Sequence, residues 1–299
     1  MLTEHSVAEL RKRLARWRAI DQKVALVPTM GNLHAGHIAL VKRAQQLADR
    51  VVVSIFVNPM QFGPKEDFAA YPRTLDADKL QLAVAGTDLL FTPEVDEVYP
   101  GGMHKVSRVE VPAFDGILDG ASRPGHFTGV ATVVTKLFNM VQPDVAIFGE
   151  KDYQQLLVIR RLVADLCIPI QIVGHPTMRE SDGLAMSSRN QYLSKSERAQ
   201  APLLRKVLSE TGAMLRDGKR DFARLQADAA RRLDAGGFQT DYVEIRQADT
   251  LAPAVAGDMR LVVLAAARLG KARLIDNLPL DLGAPQDKTV VLSQGETVG

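Results

Sequence analysis

Short apolar runs alternate along the chain with longer stretches in which apolar residues recur every third or fourth position. Val24-Ala25-Leu26-Val27, closed by Pro28, has the pattern of a strand buried on both faces. AGHIALVKRAQQLADR follows, with Ile38, Val41, Ala44 and Ala48 on one helical face. A β-branched run from Val51 to Val57 is stopped by Asn58-Pro59. DADKLQLAVAGT predicts a helix, and Leu89-Leu90-Phe91 predicts a third strand. HFTGVATVVTKLFNMV reads as a helix although it carries many β-branched residues. VAIFG, after Pro143, is a fourth strand, KDYQQLLVIRRLVADL an amphipathic helix and IPIQIVG a fifth strand. Strand–helix alternation with short loops predicts an α/β fold on a parallel sheet with right-handed crossovers. Ligands of such sheets sit beyond the carboxyl ends of the strands, so chemistry is sought just after each strand.

Near residue 185 the pattern changes. A long polar helix over Lys195 to Arg216 leads to a second helix, FARLQADAARRLDA, broken by Gly236-Gly237. Three strand-like runs follow: TDYVEIRQA, RLVVLAAARLG and KARLIDNL. Helix, helix, strand, strand, strand predicts a smaller α+β domain. The expected division is residues 1–184, residues 185–283, and a mobile tail over 284–299, where Gly, Pro, Gln and charge mix. No internal repeat or low-complexity tract interrupts this plan.

Composition narrows the function classes. Among 299 residues, 37 Lys+Arg against 35 Asp+Glu leave a net charge of +2, so nothing in bulk charge favours nucleic acid or an anionic membrane. Any anion must be held by a local site. No apolar run approaches the ~20 residues of a membrane span. The first residues, MLTEHSVAELRKRLARW, are polar and helix-like rather than a secretory signal. The single cysteine, Cys167, excludes an intrachain disulfide, fits a reducing compartment and reads in LCIPI as a core side chain. A cytoplasmic location is expected.

Four segments carry candidate chemistry. PTMGNLHAGH, Pro28 to His37, follows the first strand and runs into a helix start. Free backbone N–H groups and a positive dipole end make such a place receptive to phosphate. With a helix beginning near Ala35, His34 and His37 both lie at its entrance, able to donate to phosphate oxygens or protonate a bridging oxygen. The competing readings are capping or surface histidines and a zinc site, but no Cys or carboxylate clusters with them. FVNPMQFGPKEDFAAYPRT offers Asn58 and Gln61 as neutral ligands, with Met60, Phe62 and Tyr71 able to build an apolar wall beside them; the alternative is a plain turn at Asn58-Pro59. FGEKDYQQ places Gly149, Lys151, Asp152 and Gln155 at another strand end, with Asp152 able to cap the next helix, hold a ribose hydroxyl, or do both. Met186-Ser187-Ser188-Arg189 puts two hydroxyls and a guanidinium where the patterns meet, suited to a polyphosphate or, failing that, to a helix cap. Neither a Walker loop nor a dinucleotide Gly-x-Gly-x-x-Gly fingerprint is present.

Together these stretches, with RPGHFTGVATVVTKLFN and LGKARLIDNL, resemble the pantoate–β-alanine ligase family from about residue 24 to residue 279. The His-x-Gly-His piece alone is similar to the wider adenylyl-transferring superfamily, which includes class I aminoacyl-tRNA synthetases. The resemblance implies a Rossmann-like, doubly wound domain, a smaller lid domain and a homodimer. It implies ATP and Mg2+, with pantoate and β-alanine as substrates joined through pantoyl adenylate. By the same resemblance, Met30, Gly31, Asn32, Leu33, His34, Ala35, Gly36 and His37 line the ATP site and His37 donates a proton. Gly149, Glu150, Lys151, Asp152, Met178, Met186, Ser187, Ser188 and Arg189 also meet ATP; Gln61 and Gln155 meet the small substrates. The chemistry of the side chains places His34, His37, Lys151, Ser187, Ser188 and Arg189 around the phosphates and Asp152 at the ribose. Asp78 is a candidate metal ligand.

Two positions depart from the family pattern: Ala35 stands where glutamate is common, and Met178 where a smaller aliphatic residue is commoner. Ala35 is expected to face outward and matter little. Another nucleotidyltransferase would share the histidine logic but leaves FVNPMQFG and Gln155 without a task. A tRNA-binding synthetase needs a basic face and an anticodon module. A non-catalytic nucleotide-binding module needs neither the amides nor the histidine pair.

Overall fold

The structure, a computed structural model, describes residues 1–64 and 66–283; the expected tail lies outside the described residues. Six parallel strands form the larger sheet: β1 (Leu2–Glu4), β2 (Val24–Thr29), β3 (Arg50–Ile55), β4 (Leu89–Phe91), β5 (Val145–Gly149) and β6 (Gln171–His175). They lie in the order β1-β4-β3-β2-β5-β6. Between them run α1 (Val7–Arg18), α2 (Ala35–Gln45), α3 (Leu75–Val84), α4 (Val95–Val98), α5 (Leu118–Ser122), α6 (His126–Val141) and α7 (Tyr153–Asp165). Alternation along β2 shows why the strand reads as an unbroken apolar run. Val24 and Leu26 enter the core shared with α1, α6 and α7, while Ala25 and Val27 enter the core shared with α2 and α3.

From β2 the chain goes on to β3 and β4 on one side and, later, to β5 and β6 on the other. The crevice between the ends of β2 and β5 is therefore the topological switch point, where such sheets bind ligands. One strand escapes the sequence reading. β1 pairs in parallel with β4, Leu2 against Leu89 through Glu4 against Phe91, where a helix-like start was expected. Three residues are too few to show a period, and backbone pairing at the edge holds them.

The second unit comprises α8 (Lys195–Gln200), α9 (Leu203–Arg216), α10 (Phe222–Ala235) and an antiparallel sheet of β7 (Gln239–Gln247), β8 (Arg260–Leu269) and β9 (Ala272–Asp281). The expected single helix over 195–216 is two helices, divided at Ala201-Pro202. Pro202 has no N–H to continue α8 but suits the start of α9, where that donor has no partner to lose. In β8, Leu261, Val263, Ala265 and Ala267 pack on α9 and α10, while Val262 and Leu264 join the core of the larger unit. Both faces of β8 are thus covered, and the two units share a packed seam.

Cys167 corrects a third expectation. It is exposed, with φ +50°, at the turn after α7 rather than in the core. The segment joining the units is a tight hairpin: Met186 N–H donates to Met178 O at 2.9 Å, and Gly183 turns the chain at φ +90°. Arg179 anchors it by a two-pronged pair to Asp276 of β9 at 2.7 and 2.9 Å. Among the described residues, no helix is long and apolar enough to cross a membrane.

Candidate active site

At the switch point lies a cavity of about 220 Å³ lined by Met30, His34, Gly36, His37, Asn58, Gln61, Gly149, Lys151, Asp152, Gln155, Met178 and Met186 to Arg189, among others. The strand-end segments singled out in the sequence therefore meet in one place. Gly31, Asn32, Leu33, Ala35, Glu150 and Asp78 are not part of that lining. Leu33 is a core residue packed with α2 and α3, and Ala35 faces outward as expected.

His34 is the N-cap of α2, and the two histidines satisfy the helix entrance together. Gly36 N–H donates to His34 Nδ1 at 3.1 Å, and His34 N–H donates to His37 Nδ1 at 3.2 Å. Each Nδ1 is an acceptor, so each neutral ring carries its proton on Nε2 and offers one N–H donor. A Cβ on Gly36 would lie 2.8 Å from the His34 ring, which is why glycine separates the pair. Burial lowers the His34 pKa to about 4, with Lys151 adding to the effect. Burial, then the charges of His34 and Lys151, lowers His37 to about 3. Both rings are neutral donors at pH 7 in the ligand-free protein.

This sets a pH dependence of stability. Unfolded histidines bind protons near 6.5, whereas His34, His37 and His126, the last lowered to about 4 mainly by burial, do not until lower pH. The unfolded chain therefore binds more protons below 6.5, and stability falls as pH falls from 6.5 toward 4. Thermal midpoints of the ligand-free protein at pH 7, 6 and 5 should decline steadily; a flat series contradicts the burial of these rings.

Gly31 at φ +79° and Asn32 at φ +50° turn the chain from β2 into α2. Asp78 of α3 holds this turn. Its Oδ2 accepts from Asn32 N–H at 2.9 Å, and its Oδ1 accepts from Leu33 N–H at 2.8 Å and from the Thr74 hydroxyl at 3.2 Å. Asp78 is 1% exposed. The expected metal ligand is thus an anchor of the first loop, with its oxygens turned to the backbone rather than to the cavity.

Asn58 is also reassigned. Its two amide hydrogens go to Gln61 Oε1 and Gly129 O, both at 3.1 Å, and its Oδ1 accepts from Tyr99 OH at 2.7 Å and Met60 N–H at 3.3 Å. No hydrogen-bonding capacity remains for a substrate. Asn58 instead fixes Gln61 through its Oε1, while Gln61 Nε2 donates one hydrogen to Met30 Sδ at 3.3 Å and keeps the second for the cavity. α6 reaches this turn through Gly129, where a Cβ would stand 2.5 Å from Met60 O. Behind Gln61, His126 Nδ1 and the Gln61 carbonyl are 2.9 Å apart, and Arg123 joins His126 to Glu66. Although burial pushes Glu66 up, the Arg123 guanidinium holds it down at about 2. Of the expected wall of Met60, Phe62 and Tyr71, only Tyr71 lines the cavity; Val130, Val133, Val134 and Leu137 form an apolar wall at helical spacing on α6. The β-branched residues that weaken the helix signal are this wall.

The remaining polar groups engage one another. Lys151 Nζ is 3.6 Å from Asp152 Oδ2. Asp152 stands at the start of α7 without a capping bond from its side chain, leaving its carboxylate to the cavity. Ser187 Oγ accepts from Arg189 N–H, and Ser188 Oγ donates to Asn32 O at 3.0 Å. Arg189 makes a bidentate pair with Asp67 at 3.0 and 3.1 Å. A Cβ on Gly149 would meet nothing within 4 Å, so steric closeness does not demand glycine there. A second cavity of about 280 Å³ opens between the smaller sheet and the loops and helices of the larger unit and shares Lys151, Asp152, Gln155, Ser187 and Arg189 with the first. There Arg273 of β9 binds Asp119 and Asp241, both at 2.7 Å, and Tyr242 OH donates to Asp119 at 3.1 Å. The sequence reading gave these residues no role beyond their stretch. Asn277, beside Asp276, is another it passed over; its signal was a polar pair inside an apolar strand.

Comparison with known proteins matches residues 3–279 to the family model described as pantoate-beta-alanine ligase. A pantothenate synthetase of Azotobacter vinelandii is 59% identical over 282 residues, 94% of this chain and 100% of that relative. One from Pseudomonas aeruginosa strain UCBPP-PA14 is 58% identical over 282 residues, again 94% and 100%. Among solved structures, a pantothenate synthetase from Thermus thermophilus is similar at TM-score 0.87 and 48% identity, over 93% of this chain and 99% of that one. A pantoate-beta-alanine ligase from Francisella tularensis, complexed with beta-gamma ATP and beta-alanine, is similar at TM-score 0.77 and 34% identity, over 93% and 97%.

Proposed function

The chain belongs to the pantoate–β-alanine ligase family, and from that premise we infer that it condenses pantoate with β-alanine at the expense of ATP. The observation that carries the chemistry is a single cavity in which two neutral imidazoles share walls with Lys151 and the carboxamides of Gln61 and Gln155. A carboxylate is a poor acylating agent until one oxygen becomes part of a good leaving group. Pantoate carboxylate attacks the α-phosphorus, the bond to the bridging oxygen breaks, and pyrophosphate leaves. The β-alanine amine, in its neutral form, then attacks the acyl carbon; the bond to AMP breaks and the amine proton is lost. Both steps call for positioning and charge stabilisation rather than a protein nucleophile.

His34 and His37 offer their Nε2–H groups to the phosphates, with Lys151 and the Ser187–Arg189 run beside them. The ATP polyanion opposes the charge of Lys151 and raises the proton affinity of the rings, which equips His37 as the proton donor. Arg189 reaches a phosphate by exchanging one or both of its bonds to Asp67. Asp152 takes the ribose. Gln61 and Gln155 orient pantoate, whose apolar part lies on the α6 wall. Met30, Gly36, Gly149, Met178 and Met186 complete the nucleotide's surroundings.

Mg2+ belongs to the proposal as the partner of ATP. Among the described residues, no group of three or more His, Cys, Asp or Glu could hold a metal, and Asp152 is the one carboxylate in the cavity lining. That donor set fits an ion carried by phosphate oxygens and water, whose charge neutralises the β- and γ-oxygens. The division into residues 1–184 and 185–283, a homodimeric assembly and a cytoplasmic location complete the reading. Incubation with ATP, Mg2+ and pantoate should release pyrophosphate, and steady AMP formation should require β-alanine. ADP as the nucleotide product would sink the adenylate route.

A further inference from the structure

We propose that Asn277, on β9 of the smaller sheet, is a positioning residue for the nucleotide loop at the end of β5. Asn277 is 3% exposed, and its Nδ2 donates to the carbonyls of Glu150 and Lys151, both at 2.9 Å. Both amide hydrogens are therefore committed to two consecutive carbonyls of a loop 126 and 127 positions away in sequence. The strand is itself held in place there. Asn277 N–H donates to Asp276 Oδ1 at 2.8 Å, and Asp276 is gripped by both prongs of Arg179.

The consequence follows from peptide geometry. Across a trans peptide the C=O of one residue and the N–H of the next point in opposite directions. All the described peptides are trans. Drawing the Glu150 and Lys151 carbonyls toward Asn277 turns the N–H groups of Lys151 and Asp152 away from it. Neither N–H has a hydrogen-bond acceptor among the described residues. Lys151, Asp152 and Asn277 all line the second cavity, but of the three only Lys151 and Asp152 also line the histidine cavity. Asn277 thus holds two unpaired backbone donors and the root of the Lys151 side chain toward the place where ATP binds. The smaller unit contributes to nucleotide binding through this amide, not only as a cover. The inference rests on the ligase reading.

The test compares Asn277→Asp, Asn277→Ala and the unaltered enzyme by pyrophosphate release with ATP, Mg2+ and pantoate. Asp has the shape of Asn but faces the two carbonyls with oxygens. Pure packing predicts near-normal Asn277→Asp and a defective Asn277→Ala. Positioning predicts that Asn277→Asp is at least as impaired as Asn277→Ala, with ATP turnover at subsaturating nucleotide down roughly 10- to 100-fold. Positioning further predicts an unchanged KM for pantoate, and partial recovery of Asn277→Asp relative to the unaltered enzyme as pH falls and its carboxyl gains a proton. Near-normal Asn277→Asp, or equal losses toward pantoate and ATP, overturns the inference. An unaltered enzyme that releases no pyrophosphate would instead overturn the ligase reading, so the two failures are distinguishable.

Discussion

His37→Ala is expected to slow adenylate formation by roughly 10²–10⁴, the scale for loss of a positioned proton donor. That corresponds to about 2.7–5.4 kcal/mol of transition-state stabilisation. The expectation rests on geometry as much as chemistry. The His37 Nδ1 is taken by the His34 N–H at 3.2 Å, so only Nε2 can serve the substrate. The ring lies 4.1 Å, centroid to centroid, from His34, so both donors address the same ligand. His37→Gln separates the two tasks, because its amide can donate a hydrogen bond but cannot transfer a proton. A Gln variant near the unaltered rate would make His37 a hydrogen-bond donor only. One as slow as the Ala variant supports proton transfer. Single-turnover pyrophosphate release is the measurement, because it reports the first half-reaction alone. An unchanged rate for His37→Ala would remove the residue from this step.

Much of the larger unit is legible in the sequence because its central strands are buried on both faces. β2 and β5 appear as unbroken apolar runs ending in breakers, and the polar residues that follow fall at the switch point. The helix start at Ala35 is equally legible, because glycine and two histidines cannot easily continue a strand. Other features depend on partners far along the chain. Asn58 looks like a ligand in isolation. Only the arrival of Tyr99 and Gly129, 41 and 71 positions away, shows that its hydrogen bonds are complete. Asn277 and Arg273 meet residues more than 120 positions earlier, a distance at which no local period leaves a trace. Cys167 misled for the opposite reason. Its neighbours are apolar, but a left-handed turn after α7 carries the side chain outward.

Asp78→Ala should be the most damaging substitution outside the cavity lining. It leaves the N–H groups of Asn32 and Leu33 without acceptors, one beside the other, at a residue 1% exposed. A fully buried orphaned donor costs about 1–3 kcal/mol; Leu33 is buried and Asn32 half-buried, so a loss of about 2–4 kcal/mol is expected. The same substitution frees the turn that leads to His34, so ATP should bind at least several-fold more weakly in whatever fraction remains folded. Asp78→Asn decides between anchor and metal ligand. Its amide keeps one acceptor for the loop but sets an NH2 against the other backbone N–H. As an anchor, it should lower the thermal midpoint while leaving the free Mg2+ needed for half-maximal rate unchanged at saturating ATP. As a metal ligand, it would raise that Mg2+ requirement and leave the midpoint of the metal-free protein nearly where it was. The geometry favours the first outcome, because a carboxylate whose oxygens already receive two backbone N–H groups and a hydroxyl would have to release the loop in order to bind a cation.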